Sequence, residues 1–173
     1  MEQKINERIE LLQKIFDHTN SWLHFLEAKN AAMIAFNVAM AAFCAEMNMP
    51  DRCFLLSAAI FTGLIISMAV SMWAFYPVND KLKRPFGKIV TANLLHYAYI
   101  ASFEQDQYLQ KLYGRYWGET DKHLGSFPQL ERDYCEEIIS NSRITLRKQT
   151  NFNISFFIDI IVMFLLIIFI IFF

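Results

Sequence analysis

Residues Phe156 to Phe173 read Phe-Phe-Ile-Asp-Ile-Ile-Val-Met-Phe-Leu-Leu-Ile-Ile-Phe-Ile-Ile-Phe-Phe. One acid, Asp159, interrupts this apolar run, and no other charge follows Lys148. A water-soluble fold has no place for that many large apolar side chains at one end of a chain. An α-helix, by contrast, needs about 20 of them to cross about 30 Å of hydrocarbon. Two further stretches are quiet in the same way: no charge occurs between Lys29 and Glu46, or between Arg52 and Asp80. The charge-poor stretches Asn30–Met49, Cys53–Tyr76 and Phe152–Phe173 therefore predict three transmembrane helices. The first is the weakest, being rich in Ala and carrying Asn30 and Asn37; two spans plus one buried helix is the alternative.

Composition agrees. Of 173 residues, 55% are hydrophobic and 19% charged, against about 45–50% and about 25% in soluble domains. Phe occurs 17 times, Gly 5 and Pro 4, which excludes disordered and collagen-like chains. A net charge of −1 gives no basic field for a nucleic acid polymer. The 3 cysteines are too few for a disulfide scaffold, and a Cys44–Cys53 bridge across the outer hairpin is a minor reading. Residues 1–27 alternate charged with apolar positions and have no signal-peptide pattern.

Lys and Arg set the expected orientation. Four precede the first span, one lies in the short link and eleven lie in Pro77–Asn151, which accounts for all 16. The positive-inside bias places the N-terminus and the long middle segment in the cytoplasm, and the C-terminus at the outer face. The expected fold class is all-α: an integral membrane protein with three transmembrane helices and a helical cytoplasmic portion. Its divisions are a cytoplasmic amphipathic helix (1–28), transmembrane helix 1 (29–49), an external turn (50–52), transmembrane helix 2 (53–76), a cytoplasmic helical region (77–150) and transmembrane helix 3 (151–173).

Helix breakers cluster at Pro50, Pro77–Gly87 and Gly114–Pro128. Ile5, Ile9, Leu12, Ile15, Phe16, Leu23 and Leu26 recur at helical spacing towards the first span. Leu95, Tyr99, Phe103, Leu109, Leu112, Tyr113 and Tyr116 predict one helix within Ile89–Trp117. A further helix from Gln129 is expected to continue unbroken into the last span as a rod of about 65 Å. Its end at Asn151–Asn153 is the alternative.

Catalytic signatures are missing. The chain has no Gly-rich phosphate loop, His-Glu-x-x-His, Cys-x-x-Cys or nucleophile pattern, and His18, His24, His96 and His123 show no metal-ligand spacing. No enzyme, metal or cofactor is expected. What remains are polar groups in the spans and an aromatic, basic cytoplasmic surface. Asp159 either faces the bundle interior or water, or snorkels to the interface. Asn30 and Asn37 share a helix face with Ala41 and Cys44; with the small-residue repeat Ala31, Ala35, Ala39 this face reads as helix packing, or more sharply as a polar pore lining. Lys81, Lys83, Arg84 and Lys88 suit anionic headgroups by default and a phosphate as the sharper reading.

The stretch Trp22–Asn37 (Trp-Leu-His-Phe-Leu-Glu-Ala-Lys-Asn-Ala-Ala-Met-Ile-Ala-Phe-Asn) resembles the opening of the Pycsar transmembrane effectors. In that family a Trp, an aromatic, Glu-x-Lys-Asn and a later Phe-Asn lead into the first span. The segment Ile139-Ser-Asn-Ser-Arg-Ile144 with Lys148 is similar to the pattern before the family's last span. The middle, Ile89–Phe127, matches only in general character.

The resemblance implies antiphage defence at the bacterial inner membrane. A partner pyrimidine cyclase makes cUMP or cCMP, and the effector senses it and impairs membrane integrity, causing abortive infection. Such a ligand wants Arg or Lys for its phosphate, an aromatic face for its base and polar edges. Trp22, Glu27, Lys29, Asn30, Asn141, Ser142, Arg143 and Lys148 are the expected contacts and are expected to pack together, with Tyr97 and His96 from the middle helix. Glu27 with Lys29 or Lys148 reads equally as a packing ion pair. Asn37 and Asp159 are assigned to the pore or to packing. The cyclic nucleotide, the lipid bilayer and other copies in a homo-oligomer are the expected partners. The alternative is a ligand-independent pore-former or a packing subunit of a membrane complex.

Overall fold

A computed structural model describes residues 2–47, 54–77, 92–119 and 127–172. Its elements are α1 (Glu2–Glu46), α2 (Phe54–Trp73), α3 (Tyr97–Ile100), α4 (Gln105–Leu112), a π-helical turn (Tyr113–Trp117) and α5 (Gln129–Phe172). No strand occurs among the described residues, so the chain is all-α. Three helices, α1, α2 and α5, are long and apolar enough to cross a membrane. At 1.5 Å per residue, the 45 residues of α1 and 44 of α5 span about 65–68 Å each. Asn151–Asn153 do not interrupt α5. The basic run Lys81–Lys88, the external turn 50–52, Cys53 and His123 lie outside the described residues.

The chain divides into two compact units, Met1–His24 with Val78–Leu146 and Phe25–Pro77 with Arg147–Phe173. In the first unit Leu12 and Ile15 of α1 join Ile100, Tyr108, Leu109, Leu112, Tyr113, Phe127, Cys135, Ile138 and Ile139 in one core. The inward stripe of α1 differs from the apolar reading. It runs Arg8, Leu12, Ile15, Thr19, whereas Ile5 is exposed. Arg8 is inward because it is paired: Nη1 donates to the Tyr113 hydroxyl at 3.0 Å, and Nη2 binds Glu119 Oε1. Its guanidinium also lies 4.4 Å from the centre of the Tyr113 ring. Tyr113 in turn donates to Glu131 Oε2 at 2.6 Å. A buried cation and a buried acid are thus bridged by one phenol, and burial pushes that phenol's pKa up.

The single helix expected within Ile89–Trp117 is instead broken. Its described part is α3, an irregular link at Ala101–Glu104, α4 and the π-helical turn, which Gly118 closes at φ 67°. No Gly or Pro marks the link. The cause is distant in sequence: Arg143 of α5 donates to the carbonyls of Ala101 (3.2 Å) and Phe103 (2.8 Å), satisfying acceptors a continuous helix would have used. The His96 ring starts α3 by accepting the Ala98 N–H at 3.2 Å.

In the second unit Cys44, Ile60, Leu64, Val162 and Leu166 form the apolar core. Gly63 lets α2 approach α5 closely, since a Cβ there would lie 2.4 Å from Val162 Cγ2. Asn30, Asn37 and Cys44 are buried, but Ala31, Ala35 and Ala39 are exposed within the chain. The small-residue repeat therefore does not pack the chain's own helices. Polar positions every seventh residue took the inward face, and the repeat was displaced outward.

Candidate functional site

Polar side chains in the second unit form layers along the helices. Lys148 marks the first. It is 6% exposed, and its Nζ donates to Glu27 Oε1 (3.1 Å) and to the Ala74 carbonyl (2.9 Å). Arg147 Nη2 donates to the carbonyls of Trp73 and Tyr76, both at 2.9 Å. The pair caps the C-terminal end of α2, where free carbonyls attract cations. Asn30 Nδ2 donates to the carbonyls of Leu26 (2.8 Å) and Lys148 (3.2 Å), and Lys29 lies over the rings of Phe25 and Phe152.

A second layer joins all three long helices. Asn37 Nδ2 donates to Ser67 Oγ (3.0 Å) and Asp159 Oδ2 (3.3 Å), as well as to Met33 of its own helix. Ser67 and Ser155 hydroxyls meet at 2.6 Å, and Ser71 donates to Ser155 at 2.7 Å. All five side chains are at most 4% exposed. Asp159 therefore faces the interior and does not snorkel. One oxygen each of Asn30, Asn37 and Asp159 has no hydrogen-bond partner among the described residues.

The remaining expected contacts lie in the first unit. Trp22 Nε1 donates to His18 Nε2 at 3.1 Å, and its ring sits 5.6 Å from that of Tyr97, on which His96 stacks. Burial pushes the Tyr97 phenol's pKa up. Asn141 donates to Asn20 at 2.9 Å, Ser142 is fully buried, and Arg143 places its donors on Ala101, Phe103 and Glu104. The structure thus brings Glu27, Asn30 and Lys148 together in one unit, and Trp22 with Tyr97 in the other. Arg143 and Lys148 both hold protein oxygens.

A different surface in the first unit carries Lys111 and Arg115 beside a cleft. This cleft of about 700 Å³ is lined by Ala92, Leu94, Tyr99, Gln110, Lys111, Gly114 and Arg115, within the range of about 300–1,000 Å³ for small-molecule sites. Lys111 and Arg115, four apart across the start of the π-helical turn, have no hydrogen-bond or ion-pair partner among the described residues. Sequence reasoning missed them because their spacing is that of any solvated helix face. It also missed Ser67, Ser71 and Ser155, although Ser67 and Ser71 stand four apart in an apolar span, a readable signal.

A sequence model of the Pycsar effector protein domain matches residues 11–173, nearly the whole chain. Comparison with curated proteins gave no match. Comparison with solved structures gave none either. The match includes both segments that resemble the family, Trp22–Asn37 and Ile139–Lys148, the first apolar helix from residue 11 onward, and the other two apolar helices. The chain thus belongs to the Pycsar effector family, as a membrane protein acting in antiphage defence.

Proposed function

We propose that this effector senses a cyclic pyrimidine nucleotide, cUMP or cCMP, released by a partner cyclase, and then impairs the inner membrane, ending growth of the infected cell. The N-terminus and the first unit face the cytoplasm and the C-terminus the outer side, as the Lys and Arg distribution favours. The observation that carries this reading is the continuity of α1 and α5. Each supplies residues to the first unit and to the apolar spans within one uninterrupted helix, which supports a sensing part coupled to the membrane.

The ligand's phosphate is assigned to Lys111 and Arg115, its base to the face of Tyr99 and a polar base edge to Gln110. Trp22 and Tyr97 are the second aromatic candidates, whereas Glu27, Lys29, Asn30 and Lys148, with Asn141, Ser142 and Arg143, are assigned to packing. A ligand switches the protein only through its difference in affinity between two states. A hundredfold preference supplies about 2.7 kcal/mol per site, so copies coupled in a homo-oligomer would switch together.

Calorimetry on the detergent-solubilised protein tests this. Heat of binding is expected with cUMP or cCMP, weaker heat with purine cyclic nucleotides, and loss of binding in Lys111→Ala with Arg115→Ala. Absence of binding to either pyrimidine ligand would return the protein to the ligand-independent pore-former reading.

A further inference from the structure

The buried side chains of the second unit change character along the three long helices, and in one shared direction. On α5 the inward positions are Lys148, Ser155 and Asp159, then Val162, Leu166 and Phe169. On α1, the buried Leu26 is followed by Asn30 and Asn37, and these by Cys44. On α2, which runs the opposite way, Ser71 and Ser67 come last and Leu64 and Ile60 first. The hydrogen bonds among Asn37, Ser67 and Asp159 fix the common layer. From Lys148 to Asp159 is about 16 Å along the helix, roughly half the hydrocarbon thickness. Beyond Asp159 the interior is apolar, with Cys44, Ile60, Leu64, Val162 and Leu166 packed in one cluster.

Helix packing alone needs polar groups that satisfy one another. Here the buried oxygens Asn37 Oδ1 and Asp159 Oδ1 lack donors among the described residues. Every orphan atom in this layer is an acceptor, which is the chemistry that receives water or a small cation. An apolar constriction in series with such a layer blocks ions by staying dry.

We propose that the second unit is a closed cation pathway: a polar half ending at the Asn37–Ser67–Asp159 layer, sealed by Ile60, Leu64, Val162 and Leu166. Activation wets the seal, and small monovalent cations pass Asp159. This rests on the reading that the effector permeabilises the membrane, and it names the permeating species as small cations instead of a gross breach. It does not depend on nucleotide sensing.

The test uses the full chain in phosphatidylethanolamine–phosphatidylglycerol vesicles, without nucleotide. Potassium efflux is read with an ion-selective electrode, and carboxyfluorescein release is read beside it. Val162→Thr keeps the side-chain shape while adding a hydroxyl, and Leu166→Ser opens the seal at its other side. Each is expected to raise potassium efflux about tenfold or more, the change that ~1.4 kcal/mol of preference for the wet state brings. The dye is expected to stay inside. Adding Asp159→Asn to either variant is expected to cut that flux and reduce the preference for potassium over chloride in the reversal potential, whereas Asp159→Glu retains both. Helicity by circular dichroism and insertion by carbonate extraction confirm that each variant is assembled. Efflux unchanged in both assembled seal variants, dye released with potassium, or unaltered selectivity in Asp159→Asn would overturn the pathway. Each result stands whether or not the protein binds cUMP or cCMP, so failure here is separable from failure of the sensing reading.

Discussion

Gly63→Ala is a one-atom test of how α2 meets α5. The added Cβ would sit 2.4 Å from Val162 Cγ2, whereas non-bonded carbons rest about 3.5–4.0 Å apart. Val162 cannot step aside cheaply, because a β-branched side chain in a helix has one strongly preferred χ1. The helices must therefore separate by about 1 Å at this level, at an overpacking cost of about 1–3 kcal/mol. Replacing Gly by Ala in a helix interior returns about 1 kcal/mol. The net expectation is a destabilisation of about 0–2 kcal/mol, with a sign opposite to helix propensity. Val162→Ala makes room, so in the double variant Gly63→Ala should become neutral or stabilising, with a coupling of about 1–2 kcal/mol. Unfolding in mixed micelles followed by circular dichroism measures all four proteins of the cycle. Gly63→Ala stabilising by about 1 kcal/mol in the Val162 background, or additive energies in the cycle, would refute the close approach.

The Arg8–Tyr113–Glu131 chain makes a second prediction. Arg8→Ala strips a buried acid network of its cation and should cost about 3–5 kcal/mol, read as a lowered melting temperature of the detergent-solubilised protein. A loss within about 0.5 kcal/mol would show that the network is not closed in solution. Cys135 is fully buried, and burial pushes its thiol's pKa up; it should resist iodoacetamide in the folded protein and react after denaturation, as peptide mapping reports. The same shift has a pH consequence. Burial also pushes the Tyr108 and Tyr113 phenols up, so all three groups stay neutral in the folded chain at pH values where the unfolded chain ionises. Stability should therefore fall as pH rises through about 8.5 for the thiol and about 10 for the phenols. A flat melting temperature across that range would contradict the burial.

The spans were legible because charge depletion over about 20 residues has no soluble explanation. So was the unbroken α5, since nothing between Gln129 and Phe172 stops a helix. Asn37 and Asp159 announced themselves as polar groups in apolar surroundings. Ser67 and Ser71, four apart in an apolar span, gave a weaker signal and Ser155 none, because a hydroxyl in a span can also return its bond to its own helix. The break between α3 and α4 could not be read locally, since Arg143, some forty residues later in sequence, supplies the donors that make it tolerable. Arg8 was hidden by the habit of reading a helix's inner face from apolar residues alone. Its burial depends on Tyr113, Glu119 and Glu131 arriving from elsewhere in the chain. The charges of Arg143 and Lys148 were visible in the sequence, but the carbonyls of Ala101, Phe103 and Ala74 to which they donate were not.

The proposal that a cyclic pyrimidine nucleotide bound in the first unit opens the spans is decided by potassium efflux from vesicles holding the purified wild-type chain, recorded as cUMP or cCMP is added on the side exposing residues 92–119. The prediction is efflux that begins on nucleotide addition, saturates with the binding isotherm and is lost in Lys111→Ala with Arg115→Ala. Nucleotide binding measured on the same vesicles with no change in efflux would contradict it.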